Sequence, residues 1–257
     1  MTRTIRMTLL ALPLIWGAAL PTASAEVILG APGSLWGQVY QDSEGLNGSG
    51  VIGNVSQGID WFEIGGGVVV NTFAEYRYRA RERNNLYYDA QGPAVGIQLK
   101  WEWLQMGYDV YWERFPELEE SYTNKEYFIT GYYDWEFESD EPSRWNDGFP
   151  GAIWIFLSHD ETGINGDGGM GYVNQGIDWF TFGPGITFNT YAEYRFRNRS
   201  KNNEYYDTGG PAVGMEFRLP PFNVGAAYYW ERLPIIGENS YSLQFYLTCY
   251  LDWDLLD

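Results

Sequence analysis

Cysteine and histidine are nearly missing from this chain: Cys249 and His159 are the only ones in 257 residues. A lone thiol excludes an internal disulfide framework. One thiol and one imidazole are also too few for a multi-ligand zinc or copper centre, so no metal and no cofactor is expected. Basic residues are scarce too, 16 Lys and Arg against 34 Asp and Glu, for a net charge of −18. A nucleic-acid partner demands a Lys/Arg footprint, and this balance excludes one. Beyond residue 20 no apolar run approaches the roughly twenty residues of a spanning helix, and the mean hydropathy is −0.35. A helical membrane protein is therefore excluded.

What the chain has in excess is aromatic side chains, 18% of residues with 21 Tyr and 12 Trp. It also has itself twice. The stretch NVSQGIDWF (54–62) returns as YVNQGIDWF (172–180), 118 residues on. At the same offset FAEYRYR (73–79) meets YAEYRFR (191–197), NNLYYD (84–89) meets NNEYYD (202–207), and YWER (111–114) meets YWER (229–232). The reading is two tandem copies, 33–137 and 151–255, within a single domain spanning 26–257.

Residues 1–25 read as a cleaved secretory signal peptide. Arg3 and Arg6 precede an apolar run from Met7 to Leu20, and Ala23-Ser24-Ala25 supplies a small-x-small cleavage site. Removing them takes away two Arg and no acid, moving the net charge to −20.

Period-two alternation dominates the remainder and predicts strands. In the last one Phe245, Leu247, Cys249, Leu251 and Trp253 share a face opposite Gln244, Tyr246, Thr248, Tyr250 and Asp252. Six strands per copy are expected: about 34–42, a short one at QGIDWF, 67–81, a fourth through Val95–Trp103, a fifth ending at Arg114, and 125–137. Gly/Asn-rich loops are expected at 43–56 and 161–174, a turn near Leu104-Gln105, and about nine loop residues before the sixth strand. Gly65-Gly66 and Gly183-Pro184-Gly185 carry hairpin-turn chemistry. The segment 138–150 reads as an overlong turn joining the copies. If QGIDWF were not a strand, the count would fall from twelve to ten. The expected fold is all-β, a closed antiparallel transmembrane barrel of about twelve strands, since closure removes the raw edges of an open six-stranded unit.

Several residue sets could carry function. Glu75, Arg77, Arg79 and Arg81 share one strand face, as do Glu193, Arg195, Arg197 and Arg199. On a lipid-facing surface each Arg would cost about 2–4 kcal/mol near the midplane, so these sets point inward. With Lys100 and Arg218 they would line the lumen, either as a basic strip that attracts anions or as an ion-paired network that closes it. Trp101, Trp103, Trp135 and Trp253 fall at one end of the strands and Trp112 and Trp230 at the other, as two aromatic belts would. Ser158-His159-Asp160 holds the residue types of a hydrolase triad, but neighbours on a strand point to opposite faces and cannot relay a proton. No catalytic residue is assigned, and no enzyme is expected. The Gly/Asn/Asp loops 42–50 and 160–169 lack the spacing of a calcium-binding loop.

Alternating strands, two aromatic belts, an export signal and long loops alternating with short turns together resemble the small outer-membrane β-barrels of Gram-negative bacteria, with the size of the small porins. That resemblance implies the outer membrane as location, and the lipid bilayer, the barrel-assembly machinery and a small hydrophilic solute as partners. The expected role is a passive channel for small hydrophilic solutes, with anions among the candidates. The alternatives are a non-conducting receptor, adhesin or export-apparatus barrel, and a soluble periplasmic two-domain protein that binds carbohydrate.

Overall fold

A computed structural model describes residues 28–42, 45–137, 148–183 and 185–256. The expected signal peptide and nearly all of the joining segment 138–150 lie outside the described residues. Within them the chain forms twelve strands: β1 (Pro32–Asp42), β2 (Gly50–Glu63), β3 (Val69–Arg81), β4 (Ala90–Trp101), β5 (Leu104–Phe115), β6 (Glu120–Phe137), β7 (Phe149–Asp160), β8 (Gly168–Phe182), β9 (Ile186–Arg199), β10 (Thr208–Leu219), β11 (Phe222–Leu233) and β12 (Glu238–Asp254). Each pairs antiparallel with its neighbour, and β12 returns to β1 from Pro32↔Asp254 to Asp42↔Gln244, closing the barrel. Twelve strands about 4.8 Å apart and tilted by about 40° give a backbone radius of roughly 12 Å. Side chains reaching in from opposite walls therefore almost meet.

The alternation written in the sequence is the alternation of the wall. Val95, Ile97, Leu99 and Trp101 on β4 are exposed on the outside, as are Phe245 and Leu247 on β12. Ala94, Asp109, Asn71, Ala212 and Ala227 on the other face are buried. The buried apolar cluster sits inside the barrel, where Ala212, Ala227, Tyr229 and Tyr246 pack with Tyr40 and Tyr191.

QGIDWF is a strand, and a longer one than its pattern suggests. The expected loops at 43–56 and 161–174 shrink because β2 starts at Gly50 and β8 at Gly168. These Gly/Asn-rich segments have weak strand propensity, and pairing on both edges overrides it: Val51 and Val55 face Val39 and Leu35 on one side and Ala80 and Tyr76 on the other. The nine-residue loop before β6 is also shorter, since β6 begins at Glu120 and leaves only 116–119. The turn expected at Leu104-Gln105 falls at 102–103, with Glu102 in the left-handed region (φ 47°). Loop lengths are consequently less asymmetric between the two ends of the barrel than the sequence pattern implied.

Four of the five residues of QGID-Trp have an identifiable structural task. Gln57 donates to Ala31 O (2.7 Å) and accepts from Trp253 Nε1 (2.8 Å), tying β2 to β12 across β1. Gln175 and Trp135 repeat this (2.9 Å) across β7. Gly58 is needed because a Cβ there would lie 2.6 Å from the Asn71 amide. Asp60 accepts from that amide (2.6 Å). Trp61 is the extra residue of a β-bulge between Asp60 and Phe62, held by Thr72 Oγ1 (2.8 Å).

Candidate functional site: the charged lumen and its mouth

Six strands in a ring of twelve amount to half the circumference, so β3 and β9 stand on opposite walls. The residues expected in the lumen are carried there by these two strands and by β4 and β10. Arg77 on β3 pairs with Glu75, with Asp109 on β5 and with Glu126 on β6 (3.4 Å). Contacts that skip across strands in this way are reachable only through the interior. Arg79 pairs with Glu113 (2.7 Å) and Arg195 with Glu231 (2.8 Å). At the end of the barrel that carries the Gly-rich turns, Lys100 meets Asp60 (2.9 Å), and Arg218 meets Asp178 (3.2 Å) and Glu216 (2.7 Å). Glu193 lies on the same inward face of β9, in register with Ala212 of the buried cluster.

Two properties of this network follow from the pairs. First, it is acidic: eight carboxylates meet five cations in these pairs. Second, it is wet. The paired Arg and Lys side chains keep 24–32% of their surface accessible, although Asp109 keeps none.

The upper part of the arginine ladder does something the sequence pattern did not reveal. Arg79 Nε donates to Tyr88 O (2.7 Å), and Arg197 Nε to Tyr206 O (2.9 Å). Arg81 donates to Asn84 O and, across the barrel, to Tyr205 O (3.4 Å). Arg199 donates to Asn202 O and across to Tyr87 O (3.0 Å). The Tyr88 and Tyr206 rings meet with centroids 6.3 Å apart, and each lies under a guanidinium, Arg81 at 4.2 Å and Arg199 at 4.3 Å. The loops 82–89 and 200–207 thus clasp each other over the mouth, each held by the arginines of its own strand and of the opposite one. Asn84 and Asn202 take left-handed φ of 51° and 50° and tether each loop to Leu46 O and Ile164 O (both 2.9 Å). Burial pushes the Asp89 carboxyl up to about 6, against the backbone N–H of Arg81 that it accepts (2.8 Å), and pushes Asp207 up as well.

The repeated NN-x-YYD of both loops was the available signal, but nothing in it says that two loops 118 residues apart touch.

The aromatic set divides as the strand directions require. Trp112 and Trp230 are exposed toward the clasp end, and Trp101 and Trp103 toward the turn end. Trp135 and Trp253 lie at the turn end as well, spent on Gln175 and Gln57. His159 projects outside, more than half exposed, 2.8 Å from Asp167 and stacked on Tyr127, while Ser158 pairs with Gly168 and points away from it. Among the described residues no group of His, Cys, Asp and Glu is arranged to hold a metal.

No family model and no curated protein matches the chain. Among solved structures it is similar to LpxR from Salmonella typhimurium, with 11% identity over 84% of this chain and 99% of that one and a TM-score of 0.42. It is also similar to the β domain of the Bordetella autotransporter BrkA (15%, 86% and 97%, TM-score 0.40). A third is the COG4313 outer membrane channel from Pseudomonas putida F1 (5%, 90% and 99%, TM-score 0.39). Likeness at this level leaves the function to be argued from the barrel's own geometry.

Proposed function

We propose that the protein is a non-enzymatic outer-membrane β-barrel, built from two tandem six-stranded copies, that acts as a gated channel for small hydrophilic solutes. The observation that carries the membrane reading is the outer face of the barrel. Its large apolar side chains stay exposed while the lumen holds the ion pairs, the reverse of a soluble protein. Strands of 11 to 18 residues meet or exceed the roughly 9–11 needed to cross. Trp101 and Trp103 at one end and Trp112 and Trp230 at the other sit where aromatic belts meet the two interfaces. The duplication reading is supported by strand limits that recur at the 118-residue offset, β4 and β10 or β5 and β11 for example.

The channel reading is supported by the ion-paired lumen, whose cations keep part of their surface accessible, and by the two loops clasped over its mouth. The excess of acid favours neutral or cationic solutes over anions. Heat-modifiable migration in the outer-membrane fraction tests the location; release with the periplasm would end this reading. In planar bilayers the clasped barrel should open rarely, and shortening both loops, 83–88 and 201–206, should give steady cation-selective conductance. A barrel that folds with both loops shortened and still stays silent would favour a non-conducting receptor instead.

A further inference from the structure

Between the two clasped loops lies a cavity of about 430 Å³, lined by Arg81, Arg199, Asn84, Asn202, Asn203 and Glu204, with Tyr87, Tyr205 and Leu86 completing the wall. That volume suits a small ligand. Arg81 and Arg199 differ from three of the four arginines below them; the fourth, Arg197, also ends on a carbonyl, Tyr206 O. Arg77, Arg79 and Arg195 each meet a carboxylate, whereas the side-chain hydrogen bonds of Arg81 and Arg199 all end on backbone carbonyls. Two guanidiniums from opposite walls therefore converge on one cavity, bonded to carbonyls and set against tyrosine rings, while the nearby Asp89 and Asp207 carboxylates take the Arg81 and Arg199 backbone N–H groups rather than the guanidiniums. Guanidinium forks that end on neutral acceptors exchange them readily for an oxyanion, which accepts two N–H bonds in parallel and adds charge. Asparagine amides supply further donors, and Glu204 is the one acid on the wall.

We propose that this cavity binds a small free oxyanion, a phosphate or carboxylate group, between Arg81 and Arg199. The bonds such a ligand takes are the cross-barrel bonds to Tyr205 O and Tyr87 O that hold the clasp. Binding therefore competes with closure, and the anion acts as an opener at the outer mouth rather than as the solute that passes. Leu86 occupies the position of Glu204 in the first copy, so the cavity is not symmetric and takes its anion nearer the Leu86 side. The cavity sits inside the mouth, away from the lipid-facing surface, and this points to a dissolved anion rather than a lipid headgroup.

The test is calorimetric titration of the full-length barrel, folded in neutral detergent, with inorganic phosphate. Saturable binding of one phosphate per chain is expected. The double variant R81Q/R199Q should weaken it at least tenfold. Glu204→Gln, which removes the one acid on the cavity wall and, among the described residues, breaks no hydrogen bond or ion pair of the clasp, should tighten it several-fold. Phosphate should also speed proteolysis within 82–89 and 200–207. Absence of saturable binding overturns the site, as does unchanged affinity in the double variant. If that variant does not fold, Glu204→Gln decides, and equal or weaker binding there refutes the proposal. Micelles carrying a phosphomonoester lipid should not compete; competition would assign the site to a headgroup and overturn the free-anion assignment. None of these readouts depends on conductance, so the site can fail while the channel reading stands.

Discussion

Replacing Arg77 with Met should be among the most destabilising single changes in the lumen, and its size follows from who is left behind. Arg77 serves three carboxylates. Glu75 and Glu126 retain 10% and 13% of their side-chain surface and can turn toward lumen water. Asp109 retains none, its Oδ2 rests on Arg77, and its Oδ1 has no partner among the described residues. Met preserves the aliphatic stem, so the loss is electrostatic rather than steric. Breaking a buried pair while leaving one charge uncompensated costs about 3–5 kcal/mol. With a urea slope of about 3 kcal/mol per molar, the unfolding midpoint should fall by roughly 1–2 M. Urea titration of the folded barrel, read by heat-modifiable migration, measures it. The double variant R77M/D109N removes the stranded charge and should recover at least half of the loss. A single variant with an unchanged midpoint, or a double variant as unstable as the single, would refute the account of the lumen given above.

Ile97→Lys separates the membrane reading from the soluble one. Ile97 is half exposed on the outer face of β4, so in water the change should be nearly neutral, within about 0.5 kcal/mol. In a bilayer it should cost about 2–4 kcal/mol, and folding into vesicles with and without it reads the difference. The clasp should also respond to pH. Burial raises Asp89 to about 6, with the Glu117 charge adding to the rise, so the closed loop prefers the protonated acid. The stabilisation is complete below the pKa of the open, solvated loop and is lost as the pH rises through about 6. Limited proteolysis of 82–89 should accordingly be slower at pH 4.5 than at pH 7.5, and Asp89→Asn should reduce the difference, with Asp207 in the facing loop supplying the remainder.

Strand faces were legible in the sequence because a β-strand has a period of two, and one chemistry per face survives any register that keeps the face. The outward run Val95, Ile97, Leu99, Trp101 and the inward run Glu75, Arg77, Arg79 are written directly in the residues. So was the 118-residue repeat, and with it the even strand number that lets a barrel close. Local propensity misled where pairing overrides it, as at Gly50–Ser56, which reads as loop and is held as strand from both sides. Only the tertiary structure decided what the arginines hold. Glu75 beside Arg77 on one strand face reads as a lumen wall, yet Arg81 reaching Tyr205 O, and Arg199 reaching Tyr87 O, depends on β3 and β9 facing each other across a closed ring. Closure brings together residues more than a hundred positions apart, and no local pattern encodes the distance between them.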